Sequence, residues 1–388
     1  MTDIIYLDNS ATTRISEEAL ARYCEVSREL FGNPSSLHAV GKAAEDVLRD
    51  ARAAIRAAIG AKGGTVVFTA SGTEANNLAI LGRAHAKARY RGARLLTSAG
   101  EHASVTAPLS SLAGEGMRVL EIPTLGGRLN LAALEEMLTP DTVLLSVMLV
   151  NNETGALYDL RAVADLIKRK APDCALHADA TQALFKTPID VRALGVQMLT
   201  LSSHKVEGPK GVGALWIDDS LIRQKGVVPQ ILGGGQESGM RSGTENVPGI
   251  AAFATACRIG KAEMGDRIAA ITHLRERLLS GLSDAAFCEV TPVLPEVCAP
   301  HILTLILPAI KSEVMLHHLS ADGISVSSGS ACSSHGHVGT GALSAFGIPE
   351  GMRDFAIRVS LSHRNTEADI DAFLSSLSRG LTRLARKK

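Results

Sequence analysis

The chain has 388 residues, of which 46% are hydrophobic but only 3% aromatic, and its 40 basic residues balance 40 acidic ones. This length suggests two domains, and the neutral charge excludes the strongly basic character of nucleic-acid binding proteins. The six cysteines form no CxxC pair, which argues against a disulfide scaffold or zinc ribbon. No signal-peptide pattern or membrane-length apolar run occurs, so we expect a cytoplasmic protein with reduced thiols that binds neither nucleic acid nor membrane.

Short apolar runs alternate with longer helical patterns through the first two-thirds of the chain. Helices are predicted over 37–59, ending at Gly60, and over 73–91, ending before Gly92. The predicted strands cover residues 65–70, 94–98, 143–150, 174–179, 198–203 and 213–218. This alternation predicts an α/β fold with a mostly parallel central sheet flanked by helices.

The pattern changes after about residue 261. A long helix is followed by the apolar run "HILTLILP", a helix near 312–320, the segment "SSGSACSSHGHVG" (327–339) and the apolar run "AIRVSLS". A final helix opens with "TEAD" (366–369), which is a capping-box sequence. The fewer, more widely separated strands predict a smaller α+β domain.

Polar residues follow the predicted strands, at the strand ends where open α/β sheets bind their ligands. In "SGTEANN" (71–77), Gly72 and Thr73 could bind an anion at the start of a helix. An ordinary helix cap is the alternative explanation. The segment lacks the GxxxxGK[ST] and GxGxxG patterns, so a small phosphate group is favoured over a nucleotide.

Lys205 comes directly after another predicted strand, in "SSHKVEGPKG" (202–211). It is either a solvated surface cation or a Schiff-base lysine. The second role needs a partly desolvated amine, because a free amine with a pKa of about 10.4 is protonated at neutral pH. In that role, Ser202 and His204 would add donors to the same anion.

Asp179 ends an apolar strand, so its carboxylate needs a partner. That partner is either a cation in a structural salt bridge or the protonated nitrogen of a cofactor ring, with Gln182 binding a ring oxygen. His102 is either a core histidine or a ring that stacks on the cofactor and carries protons. A lysine, a ring-nitrogen acid, a phosphate site and a stacking ring together match the requirements of pyridoxal 5′-phosphate (PLP).

Several motifs occur together over nearly the whole chain. They are "YLDNSATT" (6–13), "FGNPSSLH" (31–38), "VNNETG" (150–155), "HADATQ" (177–182), "SSHKVEGPKG", "GGGQESGMRSGTENV" (233–247), "SSGSAC" and "IRVSLS" (357–362). In their order and spacing, the chain resembles the NifS/IscS-type cysteine desulfurases of the class V aminotransferase family. The resemblance implies the PLP-dependent transferase fold type I, a homodimer, and the conversion of L-cysteine to L-alanine with transfer of its sulfur.

The resemblance also implies a role for each matching residue. Lys205 would bind the cofactor and then remove the Cα proton of L-cysteine, while Cys332, with help from His102, would take the sulfur as a persulfide. A sulfur-acceptor protein, such as an iron–sulfur scaffold, would receive that sulfur. The implied cofactor-binding residues are Lys205, Asp179, Gln182, His102, Gly72, Thr73, Ser202, His204 and Thr244 of the partner subunit. The implied substrate-binding residues are Asn33, Asn152 and Arg358.

The implied domains are a large PLP-binding domain over 16–261 and a small domain, formed by 1–15 and 262–388, that carries the Cys332 loop. Ser238 stands where the family often has arginine. His335 and His337, which follow Cys332, have no assigned role.

Two alternatives stay open. A selenocysteine lyase or another class V PLP enzyme would keep Lys205 and Asp179, although most of these reactions need no acceptor thiol. A metal-binding protein could use Cys332, His335 and His337 as ligands, but this hypothesis leaves the lysine, aspartate and histidine at the strand ends unexplained.

Overall fold

The computed structural model describes residues 4–87, 93–307, 310–328 and 341–384. The strands in these ranges are β1 (Ile5–Tyr6), β2 (Thr65–Thr69), β3 (Arg94–Ser98), β4 (Arg118–Ile122), β5 (Thr124–Leu125), β6 (Arg128–Leu129), β7 (Thr142–Met148), β8 (Ala175–Asp179), β9 (Met198–Ser202), β10 (Gly213–Ile217), β11 (Thr291–Val293), β12 (Ile302–Ile306), β13 (Ile324–Ser325), β14 (Ser327–Ser328) and β15 (Ala356–Ser360). The α-helices are α1 (Glu17–Glu29), α2 (Ala39–Ala58), α3 (Gly72–Ala86), α4 (Ala103–Gly114), α5 (Leu131–Met137), α6 (Leu160–Lys170), α7 (Val191–Leu194), α8 (Asp219–Arg223), α9 (Val247–Ala262), α10 (Met264–Gly281), α11 (Ser312–Ala321), α12 (Ala342–Phe346), α13 (Glu350–Arg353) and α14 (Glu367–Leu384).

A seven-stranded sheet, in the order β2-β10-β9-β8-β7-β3-β4, forms the centre of the fold in the described chain. Six of its strands point the same way, and β10 runs antiparallel to both neighbours. All six predicted strand segments belong to this sheet, so the predicted α/β fold with a mostly parallel sheet is confirmed. The edge strand β4 was not predicted, because Arg118 and Glu121 interrupt its short apolar run.

Helices cover both faces of this sheet. One apolar core includes Val47 and Ile55 of α2, while a second core includes Leu78 of α3 and Leu109 of α4. Because both faces are covered, β7 to β10 are buried along their whole lengths, as is typical of parallel sheets.

The predicted helix boundaries hold for α2 but not for α3. Gly60 follows the end of α2 with a φ of 68°, a left-handed conformation in which glycine avoids the steric cost of a Cβ atom. The α3 helix ends at Ala86, and the predicted continuation from residue 88 to 91 lies outside the described residues. Its last turn tightens there, because the Lys87 N–H bonds to the carbonyl of Ala84.

The last third of the described chain forms a four-stranded antiparallel sheet in the order β11-β12-β15-β14. A separate apolar cluster between this sheet and α10, α11 and α14 includes Leu274, Leu305 and Phe373, and Leu7 from the start of the chain belongs to it. In the same region β1 pairs with β13. The domain boundaries given above stay a prediction.

The last helix has the predicted capping box. Asp369 N–H donates to Thr366 Oγ1 at 3.2 Å, and Thr366 N–H donates to Asp369 Oδ2 at 3.0 Å. Among the described helices, none has both the length and the apolar character that crossing a membrane would require.

Candidate active site

A cavity of about 370 Å³ lies at the carboxyl ends of the parallel strands. It brings together ten residues that are far apart in the sequence and were predicted to bind cofactor or substrate. They are Gly72, Thr73, His102, Asn152, Asp179, Gln182, Ser202, His204, Lys205 and Arg358. Their convergence follows from the topology, since β2, β7, β8 and β9 all end at this edge of the sheet.

Lys205 ends a single 3₁₀ turn, Ser203–Lys205, that directly follows β9. Its Nζ donates hydrogen bonds to the carbonyl oxygens of Ser10 at 2.5 Å and Ala11 at 2.7 Å. The amine is therefore oriented by the N-terminal segment, a contribution that sequence reasoning missed because backbone carbonyls carry no signature in the sequence.

Asp179 is buried at the end of β8. Its Oδ2 accepts a hydrogen bond from Asn76 Nδ2 at 2.7 Å, and its Oδ1 accepts one from the Thr181 N–H at 2.9 Å. Both partners are neutral donors, and no described lysine, arginine or histidine forms a salt bridge with this carboxylate. The structural salt bridge considered above is thus not found among the described residues.

His102 is the N-cap of α4 and lines the cavity. Its Nδ1 accepts a hydrogen bond from the Ser104 N–H at 3.1 Å and lies 2.8 Å from Ser104 Oγ. Burial lowers the pKa of His102, Lys205 lowers it further, and Asp179 opposes them. The imidazole is therefore neutral at neutral pH.

The start of α3 provides the predicted anion site. Ser71 is its N-cap, and Ser71 Oγ accepts from the Glu74 N–H, so the cap and the anion site are compatible. Gly72 approaches the opposite wall closely: a Cβ atom there would lie 3.3 Å from both Thr181 Oγ1 and Ser202 Cβ. The first-turn N–H groups of a helix favour an anion at this point.

His204 lines the same part of the cavity, and its Nδ1 lies 3.1 Å from Thr12 Oγ1. Burial lowers the pKa of His204 to about 4, and Lys205 and Lys210 contribute to this shift. The imidazole is therefore neutral and offers hydrogen bonds to an anion without adding a charge.

Gln182 Nε2 donates to the carbonyl of Ser10 at 3.0 Å, and its Oε1 lies 3.4 Å from His301 Nε2. His301 is buried just before β12, so it joins the C-terminal sheet to the cavity wall. Nothing in its apolar run "HILTLILP" singled it out in the sequence.

Arg358, on β15, is 7% exposed. Its two terminal nitrogens donate to the carbonyl of Asn152 at 2.9 Å and to Asp8 Oδ1 at 3.1 Å, while its Nε has no partner among the described residues. Burial raises the pKa of Asp8, and Arg358 opposes this effect. The guanidinium is held in place yet retains an N–H for a further acceptor.

Glu153 also lines the cavity, and sequence reasoning missed it although it lies in the quoted "VNNETG" motif. Burial raises its pKa to about 7, with Arg358 acting in the opposite direction. Asp8 was likewise missed, although it lies in "YLDNSATT".

The aminotransferase class-V family profile matches residues 5–373. The chain belongs to the class V aminotransferase family. Cysteine desulfurase IscS 1 of Archaeoglobus fulgidus is 37% identical to it, over 98% of this chain and 97% of that protein. A cysteine desulfurase of Cereibacter sphaeroides is 40% identical, over 96% of this chain and 94% of the relative.

Solved structures that are similar to this chain agree with these relatives. A NifS-like protein superposes with a TM-score of 0.90 at 33% identity, covering 98% of this chain and 100% of that chain. The structure of SspA in complex with cysteine superposes with a TM-score of 0.79 at 28% identity, covering 93% of this chain and 99% of that chain. The predicted resemblance to NifS/IscS proteins and the PLP fold type I are thus confirmed.

Some residues predicted for this class V aminotransferase lie elsewhere. Thr244 lines a different depression, with Phe68 and Glu237. Asn33 Oδ1 accepts from the Ser35 N–H at 2.9 Å, in a turn before α2 that is not part of the cavity wall.

Cys332, His335 and His337 lie outside the described residues. Ser327 and Ser328, the two residues of β14, line the cavity shortly before Cys332 in the sequence. Within the described ranges, no three histidine, cysteine, aspartate or glutamate side chains are grouped closely enough to bind a metal ion.

Proposed function

We propose that this protein is a cysteine desulfurase, which removes sulfur from L-cysteine with PLP, forms L-alanine and carries the sulfur as a persulfide on Cys332. The main support is the convergence of Lys205, Asp179, His102 and Arg358 on one cavity. Curated relatives that match nearly the whole chain are cysteine desulfurases.

The cavity residues fit PLP in size and chemistry, and class V aminotransferases are PLP enzymes. Lys205 would bind the aldehyde, Asp179 the ring nitrogen and Gln182 the ring oxygen, with His102 against the ring face. The phosphate would be held by Gly72, Thr73, Ser202 and His204, and by Thr244 of the partner subunit in a homodimer. The close approach at Gly72 supports this assignment, since a Cβ atom there would crowd Ser202 and Thr181 on the opposite wall. When bound, PLP supplies an electron sink for the substrate carbon that loses its proton.

Arg358 would bind the carboxylate of L-cysteine. One edge of its guanidinium is fixed by Asp8 and by the carbonyl of Asn152, and its Nε is available among the described contacts. A planar guanidinium binds a carboxylate with two parallel hydrogen bonds, which orients the substrate as well as holding it. Asn152, on the cavity wall, completes the proposed substrate-binding set, whereas the predicted role of Asn33 stays a prediction because Asn33 lies outside the wall.

Lys205 would remove the Cα proton of the bound substrate, because its amine lies at the cavity wall after a rigid strand end. Cys332 would attack the substrate sulfur as a thiolate. A new S–S bond forms as the substrate Cβ–S bond breaks, and the electron pair of the broken bond passes to the substrate carbon. Cys332 is four residues beyond Ser328, and four residues span at most roughly 14 Å, so the cavity is within reach of its chain.

Mass spectrometry after treatment with L-cysteine tests this function. We expect one additional sulfur atom on Cys332 and one L-alanine per sulfur transferred. The Cys332→Ser variant should still bind PLP and L-cysteine but release no sulfide. Undiminished sulfide release by this variant, or no extra sulfur on the wild-type protein that has bound PLP, would contradict the proposal.

The closest competing function is that of a selenocysteine lyase. Alanine formation from L-cysteine and L-selenocysteine should be compared at equal concentrations. A strong preference for L-selenocysteine, without a persulfide on Cys332, would favour the lyase.

The sulfur acceptor in this proposal is a protein such as an iron–sulfur scaffold, and the active form is a cytoplasmic homodimer. Transfer of ³⁵S from labelled Cys332 to a purified scaffold, and sedimentation of the purified enzyme, check these two points separately.

A further inference from the structure

A chain of hydrogen bonds connects Asp179 to the ring of His102 through two side chains that sequence reasoning did not select. Asn76 Nδ2 donates to Asp179 Oδ2 at 2.7 Å and lies 2.8 Å from Ser104 Oγ. Ser104 Oγ lies 2.8 Å from His102 Nδ1. Asn76 is 1% exposed and Ser104 6%, so solvent does not compete for these bonds.

The direction of donation along this chain is determined by the chemistry of its members. The amide nitrogen of Asn76 carries two hydrogens, of which one bonds to the Asp179 carboxylate and the other to Ser104 Oγ. The Ser104 hydroxyl accepts from Asn76, so its own hydrogen is directed to His102 Nδ1.

The backbone supplies a second donor to the same ring nitrogen. The N–H of Ser104 points at His102 Nδ1 at 3.1 Å, because His102 caps α4. A ring nitrogen that accepts two hydrogen bonds carries no hydrogen itself. In a neutral imidazole, the hydrogen must then be on the other nitrogen.

We propose that Asn76 and Ser104 are positioning residues that hold His102 as the neutral tautomer with its hydrogen on Nε2. This inference deepens the proposed desulfurase function and rests on it for its catalytic consequence. Burial and Lys205 lower the pKa of His102 while Asp179 raises it, and the hydrogen bonds at Nδ1 determine which ring nitrogen carries the hydrogen.

The tautomer decides what His102 can do in the reaction. An Nε2–H donates a hydrogen bond to an anion in the cavity, such as a substrate thiolate, but it has no lone pair with which to take a proton. Proton uptake at Nδ1 would displace the hydrogen bond from the Ser104 N–H and would require the Ser104 hydroxyl to turn and accept.

Nitrogen-15 NMR of histidine-labelled protein tests this directly, with and without bound PLP, and with His102→Gln to assign the signal. We expect wild-type His102 to be the Nε2–H tautomer at neutral pH. An Nδ1–H tautomer or an imidazolium there would overturn the proposal. The spectrum requires no turnover, so this failure would be distinct from a failure to form the Cys332 persulfide.

Three serine variants separate positioning from folding. Ser104→Ala loses the hydroxyl donor but keeps the backbone N–H donor to Nδ1, so we expect a changed nitrogen-15 shift of Nδ1 and persulfide formation slowed about tenfold. Ser104→Thr keeps a hydroxyl and should restore both. Ser110→Ala is the matched control, since Ser110 lies on the same helix and bonds only the carbonyl of Thr106 among the described residues. If Ser104→Ala folds and leaves both the Nδ1 nitrogen-15 shift and the rate of persulfide formation unchanged, the positioning role of Asn76 and Ser104 is wrong.

Discussion

The ammonium group of Lys186 donates a hydrogen bond of 2.8 Å to the backbone carbonyl of Lys205. Lys186 is half-buried, and the burial of its amine lowers its pKa to about 8. Glu207 opposes this shift, while Arg267 and Lys205 add to it. This amine both fixes the backbone of the 3₁₀ turn and places positive charge near Lys205, the proposed PLP lysine.

Replacing Lys186 with methionine should therefore change how Lys205 reacts with PLP. Without the neighbouring charge, the ammonium form of Lys205 is less disfavoured, so covalent attachment of PLP should require a higher pH. Borohydride trapping of PLP on Lys205 across a pH series measures this change. Lys186→Arg, which keeps the charge, should behave more like the wild type; an identical upward shift in both variants would refute the electrostatic explanation.

A second prediction concerns Glu101, which precedes His102 in the chain. Its Oε1 accepts hydrogen bonds from the Ser98 hydroxyl and, at 2.6 Å, from the Met148 N–H, while its Oε2 has no partner among the described residues. Burial raises the pKa of Glu101 from 4.5 to about 8, and the two donors only partly offset this effect. The folded protein therefore holds a proton that the unfolded chain releases between these pH values.

This bound proton makes the free energy of unfolding depend on pH. Between pH 4.5 and 8 the folded state binds more protons than the unfolded state, so this group makes the protein less stable as pH rises through that window. Glu101→Gln, which cannot ionise, should gain about 3 to 4 kcal/mol relative to wild type between pH 5 and pH 8. Urea unfolding at several pH values measures this difference. A constant difference would mean that Glu101 does not titrate in this range.

A third prediction concerns Glu207, two residues after Lys205. Its carboxylate bonds Arg267 of α10 at 3.1 Å and Arg364, just before α14, at 2.5 Å. Burial raises the pKa of Glu207, but these arginines and His363 outweigh burial and lower it overall. The ion pairs therefore stabilise the fold above the usual titration range of a carboxyl group, and this contribution is lost as pH falls through it.

Glu207→Gln should lower the free energy of unfolding by about 2 kcal/mol at neutral pH, because two arginines lose a buried partner. Glu263→Gln is the matched control: Glu263 also pairs with Arg267, at 2.8 Å, but its side chain is 54% exposed, against 7% for Glu207. The control should cost less than about 0.5 kcal/mol. If chemical unfolding shows the same loss of free energy for both variants, burial does not make the Glu207 ion pairs stronger than the Glu263 pair.

A fourth prediction tests the substrate carboxylate site. Arg358→Lys removes the planar pair of donors while keeping the charge, so kcat/KM for L-cysteine should fall about 10- to 100-fold, mainly through KM. Steady-state alanine production measures both constants. Arg353→Lys serves as the control, because Arg353 bonds the carbonyl of Ile348 and is not part of the cavity wall. An unchanged KM in Arg358→Lys would contradict the assignment of Arg358 to the substrate carboxylate site.

The sequence predicted the strand ends that carry Gly72, Asp179 and Lys205 because their signals are local: an apolar run followed at once by polar residues. Asn76 and Ser104 carry no such signal. Asparagine and serine are common on helices, and only the packing of α3 beside α4 makes these two meet. Their roles depend on tertiary structure rather than on composition or spacing.

The antiparallel direction of β10 also could not be predicted from local sequence patterns. Its run "GALWI" is as apolar as those of the parallel strands, since it is buried on both faces. Its pairing with β2 and β9 depends on the turn at "GPKG", whose geometry the apolar pattern does not encode. Asp8 and Ser10 were missed because they act together with residues from the far end of the chain.

The two ends of the polypeptide build one wall of the cavity. Asp8 forms a parallel bridge with Ser360, and the carbonyl of Ser10 receives the Lys205 amine. A ribosome synthesises residue 360 long after residue 10, so a nascent chain can form the central sheet well before this wall exists. Completion of the cavity is therefore one of the last events in the biosynthesis of the protein. A truncated chain that stops before β15 cannot complete the cavity.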